Sequence, residues 1–347
     1  MTNSSGLFGA MIFLLDIQLN RSDGMKTENI SQLLATKLQF DPNKEAEKIC
    51  ALIRSEAKRR GMHGVLIGLS GGWDSSTCAY LCARCLPPEQ IHLVSLPERD
   101  SDPGIHNHAR MVAKNLSLPL EERNISELFM QLGLYEGVPE TVAKNRSALE
   151  KYIKILGWLS GSKAFFPWGQ QFGFAERKGF FAWLLRRKFI NYVGTTEKFI
   201  IGKVRARSLL LSTRAMELDC LQVCTTDRSE WSVGFYDPHG DGVGDIAPLQ
   251  HLYKTQVSQL ADALGVPEAI LRQPPSGDLA AGLPNEVPMG LSYAQLDQIL
   301  AGFALKLTDS EIAGTVGLKR SLVRSIHSAC QVADQRRGMP VMVKTDL

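Results

Sequence analysis

One stretch of the sequence constrains the fold more than any other: a short apolar run that turns through two glycines into a helix-like segment. The run Val65-Leu66-Ile67-Gly68-Leu69 has the length and apolar content of a buried strand. The turn Ser70-Gly71-Gly72-Trp73-Asp74-Ser75-Ser76 follows it, and residues 77–86 then have helical periodicity. A buried strand joined in this way to a helix is the first unit of a parallel α/β sheet.

The same alternation continues along the chain. An amphipathic helix is predicted over residues 40–61, further strands over 91–96, about 118–125 and 220–224, and further helices over about 105–115, 204–218, 229–235 and 254–264. Strands that alternate with helices form parallel sheets covered on both faces. We therefore predict an α/β fold with a doubly wound, mainly parallel sheet and helices on both faces. The glycine loop should lie at the carboxyl end of the first strand, where such sheets bind ligands.

Composition excludes several classes of protein. With 347 residues, 44% of them hydrophobic and 22% charged, and a mean hydropathy of −0.08, the chain is neither extensively disordered nor collagen-like nor a multi-span membrane protein. A net charge of +3 does not indicate a nucleic-acid partner. Seven cysteines without a disulfide-like pattern indicate reduced thiols. We expect a soluble cytoplasmic protein that binds neither nucleic acid nor membrane.

Two segments depart from the regular pattern. Residues 1–24 precede a polar, helix-compatible run that begins at Met25, and we interpret them as a disordered tail or a mis-assigned start. Their apolar stretch, residues 7–15, lacks the basic flank of a signal peptide and is too short for a membrane anchor. Residues 25–347 are predicted to form one domain with an aromatic insertion at about 136–196. The insertion is either a lid or a helical subdomain or dimer surface whose aromatic residues are core.

The glycine loop has the chemistry of a phosphate site. Free backbone N–H groups and the positive end of the helix dipole favour an anion there, and glycines let its oxygens approach the backbone. Ser70 and Ser75 add hydroxyl donors. Asp74 would repel a phosphate unless a divalent cation lay between them, so its presence indicates Mg²⁺.

This loop resembles the pyrophosphate loop of the N-type ATP pyrophosphatases, enzymes of the adenine nucleotide alpha hydrolase-like fold that split ATP into AMP and pyrophosphate. Later motifs, in the same order and spacing, are similar to those of the NAD synthetase family. They are Thr225-Thr226-Asp227-Arg228-Ser229-Glu230, Gly240-Asp241-Gly242-Val243-Gly244-Asp245, Leu252-Tyr253-Lys254-Thr255-Gln256-Val257 and Pro274-Pro275-Ser276-Gly277-Asp278-Leu279. The resemblance covers about residues 49–340 outside the aromatic segment.

The resemblance implies roles for individual residues. Ser70, Gly71, Gly72, Trp73, Asp74 and Ser75 would hold the ATP phosphates, and Gly68 and Leu69 would also belong to the ATP site. Thr225 and Ser276 match hydroxyls at the ATP site, and Lys254 matches a lysine that approaches the phosphates. Asp74 and Glu230 would share Mg²⁺, with Asp74 and Lys254 as the catalytic residues. Arg207 and Asp245 match positions that bind the nicotinate dinucleotide.

The activity implied by the resemblance is ATP-dependent amide formation. The carboxylate of deamido-NAD would attack the α-phosphorus of ATP, pyrophosphate would leave, and ammonia would displace AMP. The chain has no room for the nitrilase-like glutaminase of some relatives, so we expect ammonia to come free or from a separate glutaminase. Family analogy also implies a homodimer.

Several positions depart from the family pattern on the acceptor side. Lys203 stands where the family commonly has Asn, Pro238-His239 precede Gly240-Asp241, and Gln335-Arg336-Arg337 replace a terminal His-Lys-Arg. One alternative is therefore a ligase of the same superfamily that acts on a different carboxylate. Another is a non-catalytic nucleotide-binding or DNA-binding regulator, because residues 309–323 fit a helix-turn-helix pattern. The cysteines of Cys78-x3-Cys82-x2-Cys85 share one helical face and are interpreted as buried free thiols.

Overall fold

A computed structural model of the chain describes residues 27–136, 138–152, 180–277 and 283–337, with the backbone alone for 180–197 and 336. The predicted tail over 1–24 lies outside the described residues, as do the central aromatic residues of the predicted insertion. The helices are α1 Thr27–Leu38, α2 Pro42–Arg60, α3 Trp73–Cys85, α4 Pro103–Asn115, α5 Ser126–Gln131, α6 Glu140–Ala143, α7 Phe180–Glu217, α8 Arg228–Val233, α9 Lys254–Ala263, α10 Glu268–Leu271, α11 Glu286–Met289, α12 Tyr293–Ala304, α13 Asp309–Val316 and α14 Arg320–Arg337. The strands are β1 Gly64–Gly68, β2 Ile91–Ser95, β3 Leu120–Glu122 and β4 Cys220–Val223.

The four strands form one parallel sheet in the order β3-β2-β1-β4. Side chains of β1 alternate between its faces, as the strand repeat requires. Val65 and Ile67 join a core formed with α2, α3, α4 and α9, whereas Leu66 joins a second core with α5 and α7. Helices therefore cover both faces, and the predicted α/β fold is confirmed.

The order of the strands places the functional loop. β1 is central, between β2 and β4, and the chain leaves its carboxyl end through the glycine turn into α3. α3 begins at Trp73, earlier than the helix predicted over 77–86. The helix predicted over 204–218 is also longer, since α7 begins at Phe180. Aromatic residues obscure the apolar periodicity that would have extended this prediction.

The helix pair at the carboxyl-terminal side serves packing. Ile312 of α13 and Val323 and Ile326 of α14 are buried in a third core, together with residues of α12. The pattern that fits a helix-turn-helix is thus accounted for by ordinary helix packing. Cys78 and Cys82 are buried free thiols, as predicted. No helix in the part of the chain that the structure describes has the length and apolar character needed to cross a membrane.

Candidate active site

The loop between β1 and α3 is built to present backbone N–H groups. Gly71 has a φ of +91°, and a Cβ at this position would lie 2.1 Å from the carbonyl oxygen of Ile105, so only glycine fits. Gly72 is the N-cap of α3 and provides no side-chain cap, which leaves the first-turn N–H groups available. The Oγ atoms of Ser70 and Ser75 lie 3.0 Å apart across the turn. The loop can therefore accept an anion.

Trp73, predicted to bind the nucleotide, directs its indole away from this loop. Its Nε1 donates to the carbonyl oxygen of Ile270 at 2.9 Å, and the ring packs on the core between the sheet and α3. We expect Trp73→Phe to lower the free energy of unfolding by about 1 kcal/mol, because one hydrogen bond is lost while most of the packing remains.

The same variant should bind nucleotide with an affinity within about twofold of wild type, a difference well under 1 kcal/mol. Urea unfolding and calorimetry with ATP measure the two quantities. A tenfold loss of nucleotide affinity at unchanged stability would place the indole in the nucleotide site instead.

A cluster of ions lies beside the loop, with Lys254 at its centre. The Nζ atom of Lys254 is 2.7 Å from Oδ2 of Asp74, 2.7 Å from Oδ2 of Asp227 and 3.0 Å from Oε1 of Glu230. The lysine is fully buried. The structure therefore brings three predicted residues together, Asp74, Glu230 and Lys254, and adds Asp227 to them.

Two helix starts hold this cluster in place. Asp227 is the N-cap of α8 and accepts a hydrogen bond from the backbone N of Glu230 at 2.9 Å. Lys254 is the first residue of α9, and its backbone N donates to Oγ of Ser229 at 2.9 Å. Asp297 of α12 accepts from that Ser229 hydroxyl and from the backbone N of Thr255. Three helices thus fix the lysine and two of its carboxylates.

The electrostatics of the cluster follow from its burial. Burial disfavours the ammonium of Lys254, but attraction to Asp227, Asp74 and Glu230 outweighs it, so the pKa of Lys254 lies well above its usual value. Burial raises the pKa of Asp74 and, more strongly, that of Asp227, despite the attraction of Lys254. Three carboxylates face one ammonium, which leaves two formal negative charges uncompensated within the cluster.

The carboxylates also satisfy the geometry of a cation site. Asp74, Asp227 and Glu230 each offer one oxygen, and the three oxygens lie within 4.8 Å of one another. Oδ1 of Asp74 is buried and has no hydrogen-bond partner among the described residues. A hard divalent cation prefers such oxygen ligands and would supply the missing charge.

A cavity of about 290 Å³ borders the loop and reaches the cluster at Asp74 and Glu230, whereas Lys254 and Asp227 are not among the described residues that line it. Its polar lining residues include Ser70, Ser75, Thr225, Thr226, Asp74, Glu230, Asp241 and Ser276, and its apolar lining residues include Val138, Leu149, Phe199, Ile200, Leu211 and Leu283. Thr225 and Ser276 line the same cavity as the glycine loop, and their role as hydroxyls at an ATP site stays a prediction. Arg207 also lines the cavity.

The two residues predicted to bind the acceptor are in different surroundings. Arg207 borders the cavity, whereas Asp245 accepts from Nη1 of Arg60 at 2.7 Å and from the backbone N of Gln222 at 2.8 Å. Asp245 is not among the cavity-lining residues in the described part of the chain. Its contacts tie α2 to β4, and its role toward a substrate remains a prediction.

Several residues of this site have no role that the sequence alone indicates. Tyr293 donates from its hydroxyl to Oε1 of Glu230 at 2.8 Å, and Asn285 donates to that tyrosine hydroxyl at 3.0 Å. Asp241 lies on the cavity wall, and its Oδ1 accepts a hydrogen bond from the backbone N of Asp237 at 2.6 Å. Asp227 and Asp241 both stand inside the motifs that carry the family resemblance, which was the available signal for them.

Comparison with known proteins adds independent findings. The model of the family described as NAD synthase matches residues 45–148 and 194–340. An NH(3)-dependent NAD(+) synthetase from Coprothermobacter proteolyticus is 30% identical over 301 residues, which cover 86% of this chain and 97% of that protein. One from Thermotoga maritima is 29% identical over 304 residues, which cover 85% and 98%.

Solved structures agree on the fold. An NH3-dependent NAD synthetase from Campylobacter jejuni aligns with a TM-score of 0.58 at 21% identity and covers 88% of this chain and 100% of that one. An NMN synthetase from Francisella tularensis aligns with a TM-score of 0.60 at 20% identity, covering 89% and 100%. At these identities the two structures support the fold and nothing finer.

Proposed function

Because the chain belongs to the NAD synthase family, we propose that it is a carbon–nitrogen ligase that uses ATP and ammonia to convert deamido-NAD to NAD. AMP and pyrophosphate are the other products. The observation that carries this proposal is the cavity in which the glycine loop, the Lys254 cluster and Arg207 meet. It brings an anion-binding loop, a cation site and a positively charged acceptor contact within one space.

The loop accounts for the binding of ATP. The first turn of α3 and the hydroxyls of Ser70 and Ser75 border the cavity. Their N–H and O–H groups suit phosphate oxygens. Thr225 and Ser276 supply further hydroxyls on the same lining. Because the same cavity would hold the acceptor carboxylate, binding there would make the reaction effectively unimolecular.

Mg²⁺ fits the three carboxylates of the cluster. Asp74, Asp227 and Glu230 would hold it, and the unpartnered Oδ1 of Asp74 is an oxygen available for it. When bound, the ion neutralises charge on phosphate oxygens. With it, the charges of the three carboxylates and Lys254 sum to zero, so the cluster no longer repels a triphosphate. Lys254 is not among the described residues that line the cavity, so its positive charge acts on the departing pyrophosphate through Asp74 and Glu230, which it contacts.

Other residues that line the same cavity suit the acceptor. Arg207 can pair with its carboxylate or phosphate, and the apolar wall that includes Phe199 and Leu211 suits an aromatic ring. In neutral solution ammonia is mostly protonated to ammonium, so a base must remove a proton from it before the nitrogen can attack. Asp241, whose carboxylate lies on the cavity lining, is the residue we assign to this step. The assignment of Asp245 to the acceptor rests on the family resemblance alone.

We also infer a homodimer and a cytoplasmic location. Leu209 and Met216 are exposed and lie two turns apart on α7, which gives an apolar stripe suited to a second copy. All seven cysteines are free thiols, in keeping with a reducing compartment.

An assay of AMP and amide formation tests the proposed reaction. Purified protein with ATP, Mg²⁺ and deamido-NAD should form NAD when ammonium is added. With glutamine in place of ammonium it should form none above the background without a nitrogen donor. Omitting deamido-NAD should stop pyrophosphate release, since the carboxylate is the attacking group.

The acceptor is varied in the same assay. Nicotinic acid mononucleotide and other carboxylates serve as competing acceptors, and deamido-NAD should have the highest kcat/KM. If ATP binds but only another carboxylate is amidated, the ligase with a different acceptor is the correct function. Efficient use of glutamine by the single chain would contradict the assigned nitrogen source.

A further inference from the structure

Next to Arg207, which lines the cavity, lies a buried network of charges to which the proposed reaction assigns no role. Lys203 of α7 is fully buried, and its Nζ atom is 2.7 Å from Oε1 of Glu98 and 2.8 Å from Oδ2 of Asp100. Both carboxylate side chains are fully buried too. Asp100 also pairs with Arg99 at 2.8 Å. The lysine therefore joins α7 to the segment that follows β2.

Aromatic groups surround this network and lower its polarity. The Nζ atom of Lys203 is 3.9 Å from the ring centroid of Phe199, one turn earlier on α7. The Tyr135 hydroxyl donates to Oε2 of Glu98 at 2.8 Å. In such surroundings a buried carboxylate that loses its cation takes another if one is within reach.

Arg207 is within reach. It follows Lys203 by one helical turn, and its Nη2 atom is 3.9 Å from Oε1 of Glu98, the same oxygen that Lys203 binds. Its other contacts are long, 3.4 Å to the Leu96 carbonyl oxygen and 3.5 Å to Oγ of Ser101. Nη1 of Arg207 is buried without a hydrogen-bond partner among the described residues. Arg207 lines the cavity and its side chain is 18% exposed, so the guanidinium, whose hydrogen bonds to described residues are 3.4 Å or longer, can turn toward a bound acceptor.

We propose that Lys203 is a positioning residue for the acceptor: by neutralising Glu98 it keeps Arg207 from closing onto that carboxylate and leaves the guanidinium to the substrate. This inference rests on the proposed function, in which Arg207 binds the acceptor. The charges of the buried network support it. Arg99, Lys203 and Arg207 exceed Glu98 and Asp100 by one positive charge, and the exposed Glu140, 3.7 Å from Arg99, pairs with Lys144 and leaves this difference unchanged. Without Lys203, Arg99 balances only one of the two negative charges of Glu98 and Asp100. Arg207 is then the nearest cation that could balance the other.

Steady-state kinetics of Lys203→Met tests the proposal. We expect KM for deamido-NAD to rise about ten- to a hundredfold, the loss of one charge-assisted arginine contact. KM for ATP should stay within about twofold of wild type, since the ATP loop is not part of the network. Lys198→Met is the matched control, because Lys198 lies on the same helix and pairs at the surface with Glu136. It should leave both constants unchanged.

The double variant Lys203→Met with Glu98→Gln separates positioning from packing. It removes one charge of each sign, so Arg207 keeps its availability and KM for deamido-NAD should return to within about threefold of wild type. It also carries the test if Lys203→Met alone does not fold. A double variant whose KM for deamido-NAD stays raised, or a single variant in which both KM values rise equally, overturns the proposal.

A crystal structure of Lys203→Met, or of the double variant as its reference, gives a readout that does not depend on the acceptor. In the single variant the Arg207 guanidinium should lie within hydrogen-bond distance of Glu98, instead of 3.9 Å away as in the wild type. An unchanged separation rejects the positioning role. If wild type makes no NAD while Arg207 moves as expected, the proposed acceptor is wrong and the positioning role stands.

Discussion

Replacing Lys254 by methionine is expected to lower the rate of AMP formation by about a hundred- to a thousandfold, the usual loss when a group that stabilises developing charge is removed. The ammonium of Lys254 contacts three carboxylates, all within 3.0 Å, so its loss leaves them facing one another. Removing one partner of a buried ion pair also destabilises the fold, by about 3–5 kcal/mol. Quenched-flow measurement of AMP and chemical unfolding test the two effects.

Lys254→Arg separates charge from shape. It keeps the positive charge, so it should recover most of the lost stability while its larger head group limits recovery of the rate. An enzyme with Lys254→Met that forms AMP within tenfold of the wild-type rate would contradict the catalytic assignment of this lysine. Added Mg²⁺ should restore part of the stability of Lys254→Met, because it binds the same carboxylates in the folded state.

Asp74→Asn and Glu230→Gln should each reduce AMP formation by about a thousandfold, because each removes one negative ligand from the proposed Mg²⁺ site. The Mg²⁺ concentration that gives half-maximal activity should rise in both variants. Both substitutions keep the size of the side chain and an oxygen acceptor, so the proteins should remain folded. Glu47→Gln is the matched control, since Glu47 pairs with Arg84 at the surface.

The Mg²⁺ requirement should also depend on pH in wild type. Burial raises the pKa of Asp74 and Asp227, so these carboxyls take up protons at a higher pH than ordinary aspartates. Protons then compete with the metal, and half-saturation should need more Mg²⁺ as the pH falls. For the two variants, normal AMP formation by Asp74→Asn and Glu230→Gln at limiting Mg²⁺ would show that these residues do not bind the metal.

The sequence predicts the central strands and the glycine loop between β1 and α3 well because their signals are local. A run such as Val65 to Leu69 contains both its apolar character and its glycine boundary within a few residues. β1, β2 and β4 consequently lie within a residue or so of their predicted bounds. β3 is shorter than predicted, with three residues at the edge of the sheet, where fewer contacts specify its ends.

The charge networks could not be predicted in the same way, because their partners are far apart along the chain. Lys203 and Glu98 are separated by 105 positions, and Arg60 and Asp245 by 185. Nothing near Lys203 in the sequence indicates that it is buried between two carboxylates. A lysine placed on α7 by periodicity alone is more often exposed, and only the packing of that helix on the segment after β2 reverses this expectation.

The position of β4 beside β1 has a consequence for how the protein folds. β1, β2 and β3 lie close together in the chain, whereas β4, which pairs with β1, comes much later in the sequence. Likewise, Lys254 contacts Asp74 across 180 positions. Closing so long a loop costs entropy that local pairing does not. During synthesis the phosphate loop can therefore form before the residues that complete its ion cluster have left the ribosome. ATP bound in the cavity would contact residues near β1 and residues near β4, and would therefore stabilise contacts between segments far apart in the sequence. We expect ATP to slow the opening of the β1–β4 pair more than that of the β1–β2 pair.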